Sequence, residues 1–270
     1  NGSARALASR RTRTIGALVP SFSNAISGRT IDAFQRTIEE AGYVLLTAGS
    51  DYDSARTRKN AETMVSRGVD AVFMITLAHD EELYSFLRRH HMPFLTTMPN
   101  DMPEAVPFVG YDHRLAGQRV ADFLLDLGHR QIALVATEIS RSARLKERIA
   151  AMKAAIAAYG DATLVTAIEV ADGTLAEGRA AFRSLQARGA LPTAIIATND
   201  VLAAGIVMEC NRQGIRVPDD ISVIGYGDME IAEHIIPAIT TVRTPKFEIG
   251  EIAARRLLSA LQDSTLSSSR

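Results

Sequence analysis

The sequence predicts an α/β protein built from two doubly wound subdomains, each around a parallel sheet. Two observations carry this. Short β-branched or apolar runs alternate with longer segments of helical period along the chain. The runs number about nine, more than an ordinary single sheet holds. Apolar runs joined by helices imply parallel strands, because parallel neighbours need a crossover connection.

The elements follow in order. The run 14–20 is apolar almost throughout, the pattern of a strand covered on both faces. A helical segment, 26–41, ends before Gly42, where a left-handed cap favours glycine. Runs at 43–47, 71–75, 93–97 and 108–110 come next. Asp80, Glu81 and Glu82 open a helix between the second and third of these, since acids suit the positive end of the helix dipole. Then come helix 115–127 before Gly128, run 131–136, helix 146–159 before Gly160 and run 162–170. Helix 177–187, run 194–197, helix 201–212 before Gly214 and run 221–225 complete the series. Residues 263–270 form a serine-rich tail expected to be disordered. Ligands of such folds sit outside the carboxyl ends of strands. Function is therefore expected after Val19, Thr97, Val109, Ala136, Ala197 and Gly225.

Composition narrows the function classes. A formal net charge of −1 excludes a globally basic nucleic-acid binder, though not a local basic segment. Arg5, Arg10, Arg11 and Arg13 make such a segment at the N-terminus. The single cysteine, Cys210, falls in a predicted helix and reads as a small buried apolar residue, so a reducing cytoplasm is the simplest compartment. No apolar run reaches about 18 residues, so no membrane span is expected. No apolar segment follows the N-terminal arginines, so no secretory signal is expected either. A periplasmic protein with its signal removed would look the same.

Enzyme patterns fail. The first strand, Ile15-Gly16-Ala17-Leu18-Val19-Pro20-Ser21, is not followed by G-x-G-x-x-G, and there is no phosphate-loop or G-x-S-x-G motif. His90 and His91 are adjacent and point about 100° apart on a helix, so they do not share a metal and read as a solvated helix end. Asp219-Asp220 reads as a turn before a strand. No catalytic residue, metal or cofactor is expected.

Four stretches carry a family resemblance. Ala4-Arg5-Ala6-Leu7-Ala8 followed by Thr14-Ile15-Gly16 resembles the hinge helix and first strand of the lactose-repressor (LacI) family of bacterial transcription regulators. Gly128-His129-Arg130-Gln131-Ile132 resembles the family's G-H-R-x-I. Asn199-Asp200-x-x-Ala203-x-Gly205, then Gly214-x-x-Val217-Pro218-Asp219-Asp220-Ile221-Ser222-Val223-Ile224-Gly225-Tyr226, is similar to its most specific stretch. Pro237-x-Ile239-Thr240-Thr241-Val242 resembles its P-L-T-T-V return. The set occurs in family order and spacing.

The resemblance implies a hinge at 1–13, an N-terminal subdomain at 14–111 with 243–262, and an effector subdomain at 112–242. It implies three chain crossings between the subdomains and an effector held in a cleft. It also implies a homodimer on operator DNA, read through a helix-turn-helix of about 45 to 50 residues preceding Asn1. In the hinge, Arg5 belongs to a basic helix for the minor groove, and Leu7 holds the position of an apolar wedge that kinks a base step. The alternative is a periplasmic sugar-binding protein of the same fold, which has no use for such a wedge.

Carried across by motif, the effector site takes Phe22, Asn24 and Ile26 from the loop after the first strand. Tyr111 serves as an apolar wall and Asn199 as an amide hydrogen-bonder. Arg148 matches the family's arginine in R-x-x-G-[FYW], although Ala151 and Met152 replace the glycine and the aromatic. Arg144 lies one turn earlier on the same helical face. The family's G-[YF]-D-[DN] reads Gly225-Tyr226-Gly227-Asp228 here, so Gly227 removes an acid that grips effector hydroxyls. Lys246 falls near the same place. Losing an acid beside two or three cations points to an acidic effector, a sugar acid such as gluconate rather than a neutral sugar. The helix Glu209-Cys210-Asn211-Arg212-Gln213-Gly214-Ile215 also resembles the gluconate-utilisation branch of the family.

Overall fold

A computed structural model describes residues 11–22, 25–75, 80–97, 106–137, 142–189 and 191–268. The chain divides into two compact units, Asn1–Tyr111 with Pro245–Arg270, and Asp112–Thr244. It passes between them twice, after Tyr111 and after Thr244. The resemblance implies three passages; these 270 residues contain two, because the last helix belongs to the first unit.

In the first unit, β1 (Thr14–Val19), α1 (Ala25–Glu40), β2 (Val44–Gly49), α2 (Ser54–Ser66), β3 (Ala71–Met74), α3 (Glu81–Arg89) and β4 (Phe94–Thr96) follow one another, and α9 (Lys246–Ser268) closes the unit. The sheet is parallel in the order β2-β1-β3-β4. Alternation along the central strands divides the core between its two faces. Ile15, Val19, Ala71 and Phe73 pack with Phe34 and Ile38 of α1 and Ala253 and Leu257 of α9. Leu18, Val72 and Met74 pack with Met64 of α2 and Leu83, Tyr84 and Leu87 of α3. Asp80 caps α3 by accepting from Leu83 N at 3.0 Å, as its acidic start predicts.

Two expectations need correction here. The run 108–110 is a single bridge, Thr96 with Phe108, and not a strand. Pro107 has no N–H to donate and cannot extend the ladder backwards. The helix α9 continues through Ser268, into the segment whose serine content predicts disorder from residue 263. Extending an existing helix adds one hydrogen bond per residue and needs no new nucleus.

The second unit holds α4 (His113–Asp126), β5 (Gln131–Thr137), α5 (Ala143–Ala158), β6 (Thr163–Val170), α6 (Leu175–Gln186), β7 (Ala194–Ala197), α7 (Asp200–Arg212), β8 (Ser222–Ile224) and α8 (Glu230–His234). Its sheet is also parallel, ordered β6-β5-β7-β8, with one further bridge between Ile224 and Thr240. Ala133, Val135, Ile195 and Ala197 face α6 and α7. Ile132, Leu134, Ala194 and Ile196 face α4 and α5. The edge strand β6 alternates exposed and half-buried residues, while the central β7 is buried throughout. Cys210 is buried, and burial pushes its thiol up to about 12, which suits the structural role expected of it.

Candidate ligand-binding site

The carboxyl ends of β5, β7 and β8 gather polar groups that the core does not need. Ser142 caps α5 by accepting from Leu145 N at 3.3 Å, which sets Arg144 and Arg148 in its first two turns. Arg148 is only 8% exposed. Its guanidinium carbon stands 3.8 Å from the ring centroid of buried Tyr226. Its Nε is buried without a hydrogen-bond partner, and no described carboxylate lies within ion-pair distance of it. A buried cation without a counter-charge is costly, and proteins rarely keep one except for a ligand.

The helix α4 lies directly against this place. A Cβ at Gly117 would stand 2.1 Å from the Arg148 carbonyl oxygen, so only glycine permits the approach. One turn earlier, buried His113 is pushed down to about 3 by burial and by the charges of Arg144 and Arg148, with Asp112 opposing. The imidazole is therefore neutral.

The start of α7 forms the next part of the site. Asn199 accepts from Leu202 N at 2.7 Å through Oδ1, so the amide oxygen caps the helix and Nδ2 is its remaining donor group. Asp200 is fully buried. It accepts from Thr241 Oγ1 at 2.5 Å, from Met229 N at 2.7 Å and from the Tyr226 backbone. Burial raises its carboxyl above the usual range, and Asp228 adds to the rise. Gly227 has φ 128° and donates its N–H to Val242 O at 3.0 Å. This left-handed backbone strains any side chain, so the missing acid is matched by a missing Cβ. Asp228 pairs instead with Arg243 at 2.6 Å. Thr244 Oγ1 is buried and has no hydrogen-bond partner among the described residues.

The remaining expected residues belong to the first unit. Phe22 is 65% exposed, with its ring edge 2.9 Å from where a Gly49 Cβ would stand. Ile26 in α1 and Tyr111 at the end of the unit's first segment are half-buried. Lys246, the first residue of α9, is buried, with Nζ 5.9 Å from the Phe247 ring centroid. Asn24, Arg5 and Leu7 lie outside the described residues.

Of the expected residues, Arg148 and Arg144 share one helix, and Asn199 and Gly227 adjoin the segment that carries Tyr226. The sequence reading missed His113, Asp200 and Thr244, and it took Tyr226 as part of a motif without a role. Asp200 and Tyr226 stand in quoted motifs. No spacing marked His113, whose burial comes from the meeting of α4 and α5.

Comparison with known proteins agrees with this fold. Residues 121–270 match a family described as a periplasmic binding protein-like domain. The ribose operon repressor of Escherichia coli (strain K12) is 30% identical over 99% of this chain and 81% of its own. The transcription regulator GntR from Chromobacterium violaceum has a similar structure, with a TM-score of 0.86, 25% identity and coverage of 93% of this chain and 92% of its own. A LacI family transcriptional regulator from Enterococcus faecium with bound ribose superposes with a TM-score of 0.80, at 27% identity over 92% of this chain and 90% of its own. The chain belongs to the LacI family of transcription regulators and forms its effector-binding, periplasmic-binding-protein-like core.

Proposed function

We propose that this core senses a small carboxylate, a sugar acid such as gluconate, and passes that state to operator DNA as part of a cytoplasmic repressor. One observation carries the acid. Arg148 is buried against Tyr226 with an unsatisfied Nε and no counter-charge among the described residues. A carboxylate would supply both, through charge-assisted bonds to the planar guanidinium. Arg144, one turn away, adds positive potential. Gly227 places no carboxylate side chain at its own position to repel the anion.

Asn199 supplies an amide donor for hydroxyls. Phe22, Asn24, Ile26, Tyr111 and Lys246 stay proposed contacts on the strength of the resemblance alone, as do Arg5 and Leu7 for the DNA minor groove. Effector binding would shift a two-state equilibrium and so change affinity for the operator. No enzyme role is proposed, since the relatives are regulators.

A homodimer is part of the proposal. Val44 on the edge strand β2 is 65% exposed, and Ile236 beside α8 is 83% exposed. A solution mass of one chain under conditions that preserve the fold would count against it.

The ribose-bound relative favours a second reading, a neutral pentose. Calorimetric titration separates the two. Gluconate should bind and ribose should not. Arg148→Ala should weaken gluconate by about 2 to 5 kcal/mol, the usual loss when one partner of a buried charge pair is removed. Tight ribose binding without gluconate binding would overturn the acidic reading.

A further inference from the structure

The segment that carries Tyr226 has a support that makes no hydrogen bond or ion pair with Arg148. Asp200 has no described cation within ion-pair distance, although it is fully buried. Its acceptors are taken by neutral donors from one stretch of chain, the Tyr226 and Met229 backbone N–H groups, and from Thr241 Oγ1 on the returning segment. The contact is tight. A Cβ at Gly225 would stand 2.2 Å from Asp200 Oδ1. The carboxylate therefore sets the path of residues 225–229, and with it the place of the Tyr226 ring.

The guanidinium carbon lies over that ring, 3.8 Å from its centroid. The donors of an arginine lie in its plane. A ring this close to the guanidinium carbon limits its tilt and leaves the donor edge as the approach for a ligand.

We propose that Asp200 is a positioning residue of the anion site. By anchoring residues 225–229 it keeps Tyr226 against Arg148, and so fixes the plane in which Arg148 offers its donors. The proposal rests on Arg148 as the anion's partner. It adds that affinity depends on a carboxylate that makes no contact with the ligand.

The test reads the arginine plane directly. In the 15N-arginine spectrum of the ligand-free protein, the Arg148 Nε–H resonance is assigned by its loss in Arg148→Lys. Ring current should hold it upfield of the other arginines, and Tyr226→Leu should release it. Asp200→Asn, whose amide cannot accept at both positions, should also release it, and Thr241→Val should move it part of the way. Thr241→Val decides the matter should Asp200→Asn not fold.

In gluconate titrations, Asp200→Asn should weaken binding about tenfold in the parent chain and less than about twofold in Arg148→Lys, because a lysine has no plane to lose. An Arg148 resonance that stays upfield in folded Asp200→Asn overturns the proposal. So do losses that simply multiply. Failure of the anion reading shows separately, as a gluconate affinity unchanged in Arg148→Ala.

Discussion

The two ends of α7 each bury a carboxylate, and they do so in opposite ways. At the C-terminal end, Glu209 is inaccessible and meets Arg179 Nε at 2.9 Å, Arg183 Nη1 at 3.1 Å and Arg212 Nη2 at 2.5 Å, with Gln213 Nε2 at 3.0 Å. The Arg212 and Gln213 bonds, joined by Arg179, hold its carboxyl well below the usual range. At the N-terminal end, Asp200 meets only neutral donors, and its carboxyl is raised. Nearby, Arg148 has no counter-charge among the described residues and His113 stays neutral. Charge is compensated where the cluster serves the fold. Among the described residues it is left uncompensated around the proposed anion site.

The largest expected effect breaks the Asp200 end by shape. In Gly225→Ala the new Cβ would fall 2.2 Å from Asp200 Oδ1. Either the carboxylate or the backbone of the segment must move, at a cost of about 2 to 4 kcal/mol in urea unfolding. No described glycine plays this part at Glu209, so Met208→Ala beside it, at a 40% exposed site, should cost less than about 1 kcal/mol. Equal losses at the two ends would remove the contrast.

Next comes pH. An ordinary histidine takes a proton below 6.5, whereas His113 in the folded chain resists until about 3. As pH falls below 6.5 the unfolded chain binds this proton and the native chain does not. Stability is therefore lost on acidification, by up to about 1.4 kcal/mol per pH unit and about 1 to 2 kcal/mol by pH 5. His113→Gln should flatten that slope. A slope unchanged in the variant would show that the histidine does not resist protonation.

The contrast between the ends of α7 also separates what the sequence discloses from what it withholds. The central strands were legible because parallel strands covered on both faces are apolar without interruption, as in Ala194–Ala197. The 108–110 run read as another strand, yet it forms a single bridge after Pro107, which has no N–H for a ladder. Arg148 was legible through a motif spacing within one helix, even with Ala151 and Met152 departing from it. Asp200 was not legible as a support. Its hydroxyl partner, Thr241, lies 41 residues away and arrives only when the chain returns past β8. His113 depends in the same way on two helices meeting at Gly117. Partners of buried polar groups are set by tertiary approach, which local pattern does not contain.

Replacing Arg148 by an apolar side chain should reveal the cost of its uncompensated charge. In the absence of ligand, Arg148→Met should raise stability by about 1 kcal/mol, since a buried charge is exchanged for apolar packing. The same chain should lose gluconate binding. The equivalent exchange at the other end, Arg212→Met, should lower stability, because Glu209 loses the arginine it meets at 2.5 Å. A destabilised Arg148→Met would mean that the arginine is compensated in the free protein.

The smallest expected effect is a null within a stated window. Glu209 is held below the ordinary glutamate value of 4.5, so its contribution to stability is fully present above that pH. It is lost only as pH falls from 4.5 toward the depressed native value. Glu209→Gln should therefore lower the melting temperature at pH 7 and leave the change between pH 7 and pH 5 as it is in the parent chain. His113→Gln should do the reverse, altering the change between pH 7 and pH 5. Thermal melts of the two variants at pH 7, 5 and 4 test this directly. If Glu209→Gln alters the slope above pH 5, the three arginines do not hold the carboxylate as tightly as their distances imply, and the compensated end of α7 would titrate like its uncompensated end.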